Sequence, residues 1–164
     1  MIHVRRAGLM DTGPMADLLN DVIAKGGTTA MTDAVTRDDL SEWIRHYSGR
    51  NAWFLAEDGD GTVLGFQWIE PKDALPAEAC DIATFTRCGR VRLGCGSALF
   101  EQTRKAAREM RYAWINATIR ADNEGGLAYY QSRGFETYQI VRDVPLAGGQ
   151  RVDRVKKRFD LSNW

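Results

Sequence analysis

The spacing of apolar residues changes from one segment of the chain to the next, and each change marks an element. Met15, Leu18, Leu19, Val22 and Ile23 recur at three- and four-residue intervals, which is one face of an amphipathic helix. Thr12, Gly13 and Pro14 open that helix, because proline at the first helical position gives up no needed N–H, and Gly26-Gly27 closes it. A second helix is predicted from Thr36, where Asp39 completes the form of a capping box. Its apolar face is Leu40, Trp43, Ile44 and Tyr47, and it ends near Gly49. A third runs from Gly94–Gly96 to Met110 or thereabouts, and a short one covers Asn123–Ser132.

Between the helices lie strand-like runs. Residues 2–7 form a short one, and Ala52–Glu57 and Thr62–Glu70 are apolar and aromatic-rich, joined by the hairpin signal Asp58-Gly59-Asp60-Gly61. Ala79–Thr86, Ala113–Ile119, Phe135–Val141 and Val152–Leu161 complete the set. The order β-α-α-β-β-β-α-β-α-β-β predicts an α/β (α+β) protein with a mixed sheet. Its first half is mostly antiparallel, and a parallel β-α-β unit follows. No linker, repeat or low-complexity stretch interrupts residues 1–164, so one domain is expected.

Charge narrows the choice of partner. Lys plus Arg and Asp plus Glu both total 22, giving a formal net charge of +0, whereas nucleic-acid binders carry a basic excess. No run approaches the roughly 20 apolar residues of a membrane span, and Met-Ile-His-Val-Arg-Arg lacks a signal-peptide core, so a cytoplasmic protein is expected. Cys80, Cys88 and Cys95 lack metal-site spacing, and His3 and His46 lie far apart, so no metal is expected. The run Lys156-Lys157-Arg158 reads as the solvated edge of a final strand.

The segment most suggestive of chemistry is Arg90-Val91-Arg92-Leu93-Gly94-Cys95-Gly96-Ser97. Two glycines one residue apart allow a tight turn from strand into helix. The first helical N–H groups then point outward unpaired, with the helix dipole behind them, as a diphosphate requires. Arg90 and Arg92 are placed to add charge-assisted hydrogen bonds. A glycine turn flanked by surface arginines explains the same residues equally well. A dinucleotide fingerprint would need glycine where Leu99 stands, and no Gly-Lys-Ser/Thr of a P-loop follows.

These residues resemble the GNAT superfamily of acetyl-CoA-dependent N-acetyltransferases, whose hallmark is Gln/Arg-x-x-Gly-x-Gly/Ala after a central strand. Gly94 and Gly96 match it; Val91 departs from its first position, leaving Arg90 and Arg92 as substitutes. A second stretch, Asn123-x-x-Gly126-x-x-Tyr129-Tyr130-x-x-x-Gly134-Phe135, is similar to the family's Asn-x-x-Ala-x-x-Leu-Tyr-x-x-x-Gly-Phe. The likeness runs the length of the chain. It is nearest to the phosphinothricin acetyltransferase group, through Asn20-x-x-Ile23, Thr28-Thr29, Trp53–Glu57 and the acid Asp81 five residues before Thr86.

The resemblance implies the GNAT fold, acetyl-CoA as cosubstrate at the β-α-β unit, and a small-molecule amine, such as an amino acid or its analogue, as acceptor. It implies that Thr84, Phe85 and Thr86 pair through their backbone with the pantetheine arm, their side chains being incidental. Leu93, Gly94, Cys95, Gly96 and Ser97, with Arg90 and Arg92, would then hold the diphosphate. Asn123 and Tyr130 complete the cofactor site.

Acetyl transfer needs a neutral amine, yet an α-amino group has a pKa of about 7.7–8.0, so a base must take its proton. Asp81 occupies the position of the group's glutamate and is the candidate, with Glu78 and Glu70 in reserve. Equally, it reads as a carboxylate satisfying its neighbours. Tyr130, by resemblance, returns a proton to the departing thiolate; otherwise it is a core aromatic with a wet hydroxyl. Cys95 at a helix start invites a ping-pong route, but no histidine lies near it in sequence, and direct transfer in a ternary complex fits better.

Thr28, Thr29 and Met31 are expected to border the acceptor, with Trp43, Tyr47 and Trp68 as further candidates that also read as core, while Trp53 is expected in the core. A silent acetyl-CoA sensor and a protein-directed acetyltransferase remain open beside the small-molecule enzyme. The only protein partner expected is a second copy of the chain, as a homodimer.

Overall fold

A computed structural model describes residues 1–87 and 94–163. Its strands are β1 (His3–Arg6), β2 (Ala52–Glu57), β3 (Val63–Glu70), β4 (Ala79–Thr86), β5 (Trp114–Arg120), β6 (Glu136–Pro145) and β7 (Arg151–Asp160). The helices are α1 (Thr12–Lys25), α2 (Arg37–His46), α3 (Cys95–Glu109) and α4 (Glu124–Ser132). All seven strands join one sheet in the order β1-β2-β3-β4-β5-β7-β6. Every pairing is antiparallel except β4 with β5.

Each face of the sheet carries a helical layer, which is why β2 and β3 are buried at almost every position and read as continuous apolar runs. On one face Met15, Leu18 and Leu19 of α1 and Leu40 of α2 pack on Trp53, Leu55, Phe66, Trp68 and Phe85. Trp53 and Trp68, paired across β2 and β3, stack with ring centroids 4.2 Å apart. On the other face Leu99 and Phe100 of α3 and Tyr130 of α4 pack on Phe54, Ile82, Ile115, Ala117 and Phe135.

The helix starts follow local chemistry. Thr36 Oγ1 accepts from the Asp39 N–H at 3.1 Å while the Asp39 carboxylate accepts from the Thr36 N–H at 2.9 Å, a reciprocal capping box for α2. The Asn20 side chain reaches over from α1 and bonds both backbone groups of Val35, at 2.7 and 2.9 Å, as a strand neighbour would. That bond pins the connection carrying Thr28–Met31.

Two expectations are corrected. β6 runs four residues beyond Val141, through register shifts that no periodicity reveals. β7 is not an edge: it inserts between β5 and β6, so Lys157 is buried and donates to Thr137 Oγ1 at 2.9 Å rather than lying in solvent.

Replacing Thr36 with alanine should cost about 1 kcal/mol of stability. Chemical denaturation should show this as a lower midpoint with unchanged slope; an unchanged midpoint would mean the cap contributes nothing.

Candidate active site

The parallel pair is short. β4 and β5 share only the register Ala79↔Trp114, Cys80↔Ile115 and Asp81↔Asn116, after which Ile82–Thr86 pair with β3 alone and Ala117–Arg120 with β7 alone. A cavity of about 650 Å³ opens there, lined by Ile82–Thr86 of β4 and Thr118–Arg120 of β5. Its walls also include Asp81, Tyr130 and the loop Thr28–Met31. The backbone groups on the parted edges have no strand partner among the described residues, and buried amides demand one.

Cys95 and Gly96 at the start of α3 also line this cavity. Gly94 caps the helix with φ +94°, a left-handed turn suited to glycine, and its carbonyl accepts the first helical bond, from Ala98 N–H at 2.8 Å. The amides of Cys95, Gly96 and Ser97 therefore have no carbonyl upstream in the helix. Gly96 is glycine for a further reason: a Cβ there would lie 2.5 Å from the Tyr129 ring.

A polar chain crosses the buried floor. The Gln67 amide, wholly buried, donates to Thr84 Oγ1 at 2.8 Å and to the Tyr129 hydroxyl at 3.0 Å. Thr84 Oγ1 and the Tyr130 hydroxyl share a 2.7 Å hydrogen bond, and Tyr129 donates to the Gly96 carbonyl at 2.7 Å. Burial raises both phenols, Tyr129 to about 12 and Tyr130 further, so both keep their protons through the neutral range. The Thr84 side chain is thus not incidental, since it holds the Tyr130 hydroxyl.

Asp81 stands where the strands part. Its Oδ1 accepts from Asn116 Nδ2 at 2.8 Å, and Lys72 Nζ lies 3.5 Å from Oδ2. Asn116 in turn accepts from the Tyr138 hydroxyl, which fixes its amide. Burial raises the Asp81 pKa and outweighs the opposing pull of Lys72 and Asn116, leaving a carboxylate more basic than usual. Among the described residues, Asp81 is the one acid in the cavity wall. Glu70, directly across β3, and Glu78, exposed ahead of β4, do not line it.

Asn123 caps α4, accepting from Gly126 N–H at 3.0 Å, and its amide donates to the Thr28 carbonyl at 3.2 Å. Thr28, Thr29 and Met31 border the cavity as expected, as do Thr86 and Phe85. Trp43, Trp53 and Trp68 belong to the α1–α2 core and do not line it, and Tyr47 does not either. Cys95 is buried, and desolvation pushes its thiol pKa up, away from the thiolate that a ping-pong route would need. Ser97 Oγ accepts from Arg133 at 2.8 Å, putting an unforeseen cation beside the α3 start. Arg90, Arg92 and Leu93, with Val91 and Cys88, lie outside the described residues. Gln67, Asn116 and Arg133 carried no sequence signal, because each acts through a partner remote in the chain.

No protein-family model matches the chain. Over 152 residues it is 24% identical to YwnH of Bacillus subtilis (strain 168), a protein named provisionally as a phosphinothricin acetyltransferase; the match spans 92% of this chain and 93% of that one. Among solved structures, an N-acetyltransferase from Staphylococcus aureus Mu50 superposes with a TM-score of 0.88 at 21% identity, covering 98% of this chain and 99% of the other. A GNAT superfamily phosphinothricin acetyltransferase from Sinorhizobium meliloti, solved in complex with acetyl-CoA, gives 0.87 at 15% identity, covering 97% and 88%. The chain has the fold of the GNAT N-acetyltransferases over nearly its whole length, and within that fold its sequence resembles the phosphinothricin acetyltransferases.

Proposed function

We propose that the protein transfers the acetyl group of acetyl-CoA to the primary amine of a small molecule, an amino acid or its analogue, in a ternary complex. The observation that carries this is the meeting of Asp81 and Tyr130, a basic carboxylate and a protonated phenol, on one cavity where β4 and β5 part. Acetyl-CoA supplies an activated acyl group. The parted edge of Ile82–Thr86 suits its amide-bearing arm, and the amides of Cys95, Gly96 and Ser97, with Arg133 nearby, suit its diphosphate. The Sinorhizobium meliloti relative, whose fold is the same, binds that compound.

In this reading Asp81 takes the proton that the amine nitrogen loses as its bond to the acetyl carbon forms. Tyr130 gives its proton to sulfur as the carbon–sulfur bond breaks, and Thr84, donating to the phenol oxygen, directs that proton toward the cavity. Gln67 N–H occupies a lone pair of Thr84 Oγ1 and favours that direction. The reading includes a cytoplasmic homodimer; gel filtration at the mass of a single chain would contradict the dimer.

Release of coenzyme A thiol, assayed over a panel of amines, tests the reading. Tyr130→Phe and Asp81→Asn should each lower kcat by about 10²–10⁴-fold. Full activity in both variants would remove these roles, and coenzyme A binding without turnover of any amine would make the protein a sensor.

The pH profile carries a sign. Asp81 acts only when ionised, and burial raises its pKa, so kcat/KM should fall on acidification at a pH above the usual aspartate value of about 3.9. Asp81→Asn should abolish that limb; its persistence would assign it elsewhere.

Thr84→Val, which removes the hydroxyl and keeps the shape, should lower kcat by about tenfold with little change in KM for acetyl-CoA, and Thr84→Ser should restore it. An unchanged kcat would return Thr84 to a packing role.

A further inference from the structure

Arg154 of β7 lines the cavity, and its Nε is buried with no hydrogen-bond partner among the described residues. The acids around it are already engaged. Asp122 is held by both ends of the neighbouring Arg120 guanidinium, at 2.9 and 2.8 Å, while Asp153 accepts from Arg142 at 3.0 Å and from the Asp143 N–H at 2.8 Å. Asp153 also points to the opposite face of the sheet, as strand neighbours do. A half-buried guanidinium without a counter-ion is costly to keep, and the cost disappears if a ligand supplies the anion.

The surroundings sharpen the point. The cavity wall contains Lys25, Lys72, Arg87, Arg120 and Arg154, against Asp81 as its one acid among the described residues. Arg87 donates to the Val63 carbonyl, Arg120 is neutralised by Asp122, and Lys72 faces Asp81. Such a wall repels a bare ammonium ion and accepts an amine that also carries an acid.

Register assigns the anion to the acceptor. Arg154 lies opposite Arg120, and Arg120, Thr118 and Asn116 share one face of β5 at two-residue spacing. Asn116 is opposite Asp81 and bonded to it, so Arg154 stands on the face of the base. Ala117 and Ile119 face the other way, into the core under α3 and α4, where the amides suited to a diphosphate begin. The Arg120 guanidinium also donates to the Thr29 carbonyl at 3.0 Å, bringing the acceptor-bordering loop to the same place.

We infer that Arg154 binds an acidic group of the acetyl acceptor, a carboxylate or an oxyacid of similar geometry, through its planar fork. This rests on the acetyl-transfer reading of the cavity and adds to it the residue that selects among amines. Arg154 is a specificity residue and takes no part in proton transfer.

The test compares native protein, Arg154→Gln and Arg154→Lys on acid-bearing acceptors and their neutral partners: L-alanine with L-alaninol, L-methionine with L-methioninol, L-glutamate with L-glutamine. Thermal unfolding first establishes that each variant is folded. Arg154→Gln should lower kcat/KM for the preferred acid-bearing amine by about 10- to 100-fold, mostly through KM. Its neutral partner should lose far less, and lysine should recover part of the loss. Equal loss for both partners, or no loss for either, overturns the inference. A matching weakening of coenzyme A binding, read by calorimetry, would give Arg154 to the cofactor and also overturn it. If the native protein acetylates none of the panel, the acetyl-transfer reading fails separately. Calorimetry of L-glutamate into the coenzyme A-saturated protein then decides: heat from native but not from Arg154→Gln supports the anion site, and heat from neither refutes it.

Discussion

Two parallel strands stay together for three residues and then separate, inside a sheet that is otherwise paired from β1 to β6. Backbone N–H and C=O groups are obligatory hydrogen-bonding groups, and a sheet that parts in its middle exposes two rows of them. The α3 start adds further free amides at the same opening. Side-chain chemistry is arranged around that breach: Asp81 is the last residue of β4 paired with β5, and Thr84, three residues on, holds Tyr130.

Two titratable groups that face the cavity, Asp81 and Tyr130, are moved in the same direction by the same cause. Burial raises Asp81 and raises Tyr130, making one a stronger base and the other a more reluctant acid. Asn116 and Lys72 limit the first effect, and Thr84 opposes the second by hydrogen bonding to the phenol oxygen. Support for the phenol is itself buried: Gln67 is wholly inaccessible, and its Oε1 has no partner among the described residues. A polar residue kept in a core at that cost is easier to understand as part of a site than as packing.

Much of this was legible in the residues themselves, and what was not has a physical explanation. Local signals held: Thr36 and Asp39 cap α2 in the expected reciprocal way, and the bounds of β2 and β4 fall where the apolar runs end. Asn123 and Tyr130, a helix start and a residue two turns later, meet the same cavity. Long-range facts were hidden. That β7 enters between β5 and β6 decides the burial of Lys157 and the placing of Arg154, and no window of sequence contains it. The tryptophans were ambiguous because aromatic residues serve cores and pockets alike; here they form the α1–α2 core. Cys95 at a helix start reads either way from sequence, with direct transfer the better fit; its burial, which pushes the thiol pKa up, points the same way.

A crystal structure of the protein with coenzyme A tests the central claim most directly. The account predicts the pantetheine arm lying between β4 and β5, bonded to the backbone of Ile82–Thr86, with the diphosphate on the amides of Cys95–Ser97. Coenzyme A bound elsewhere on the molecule, or a breach still unpaired at saturating ligand, would contradict it.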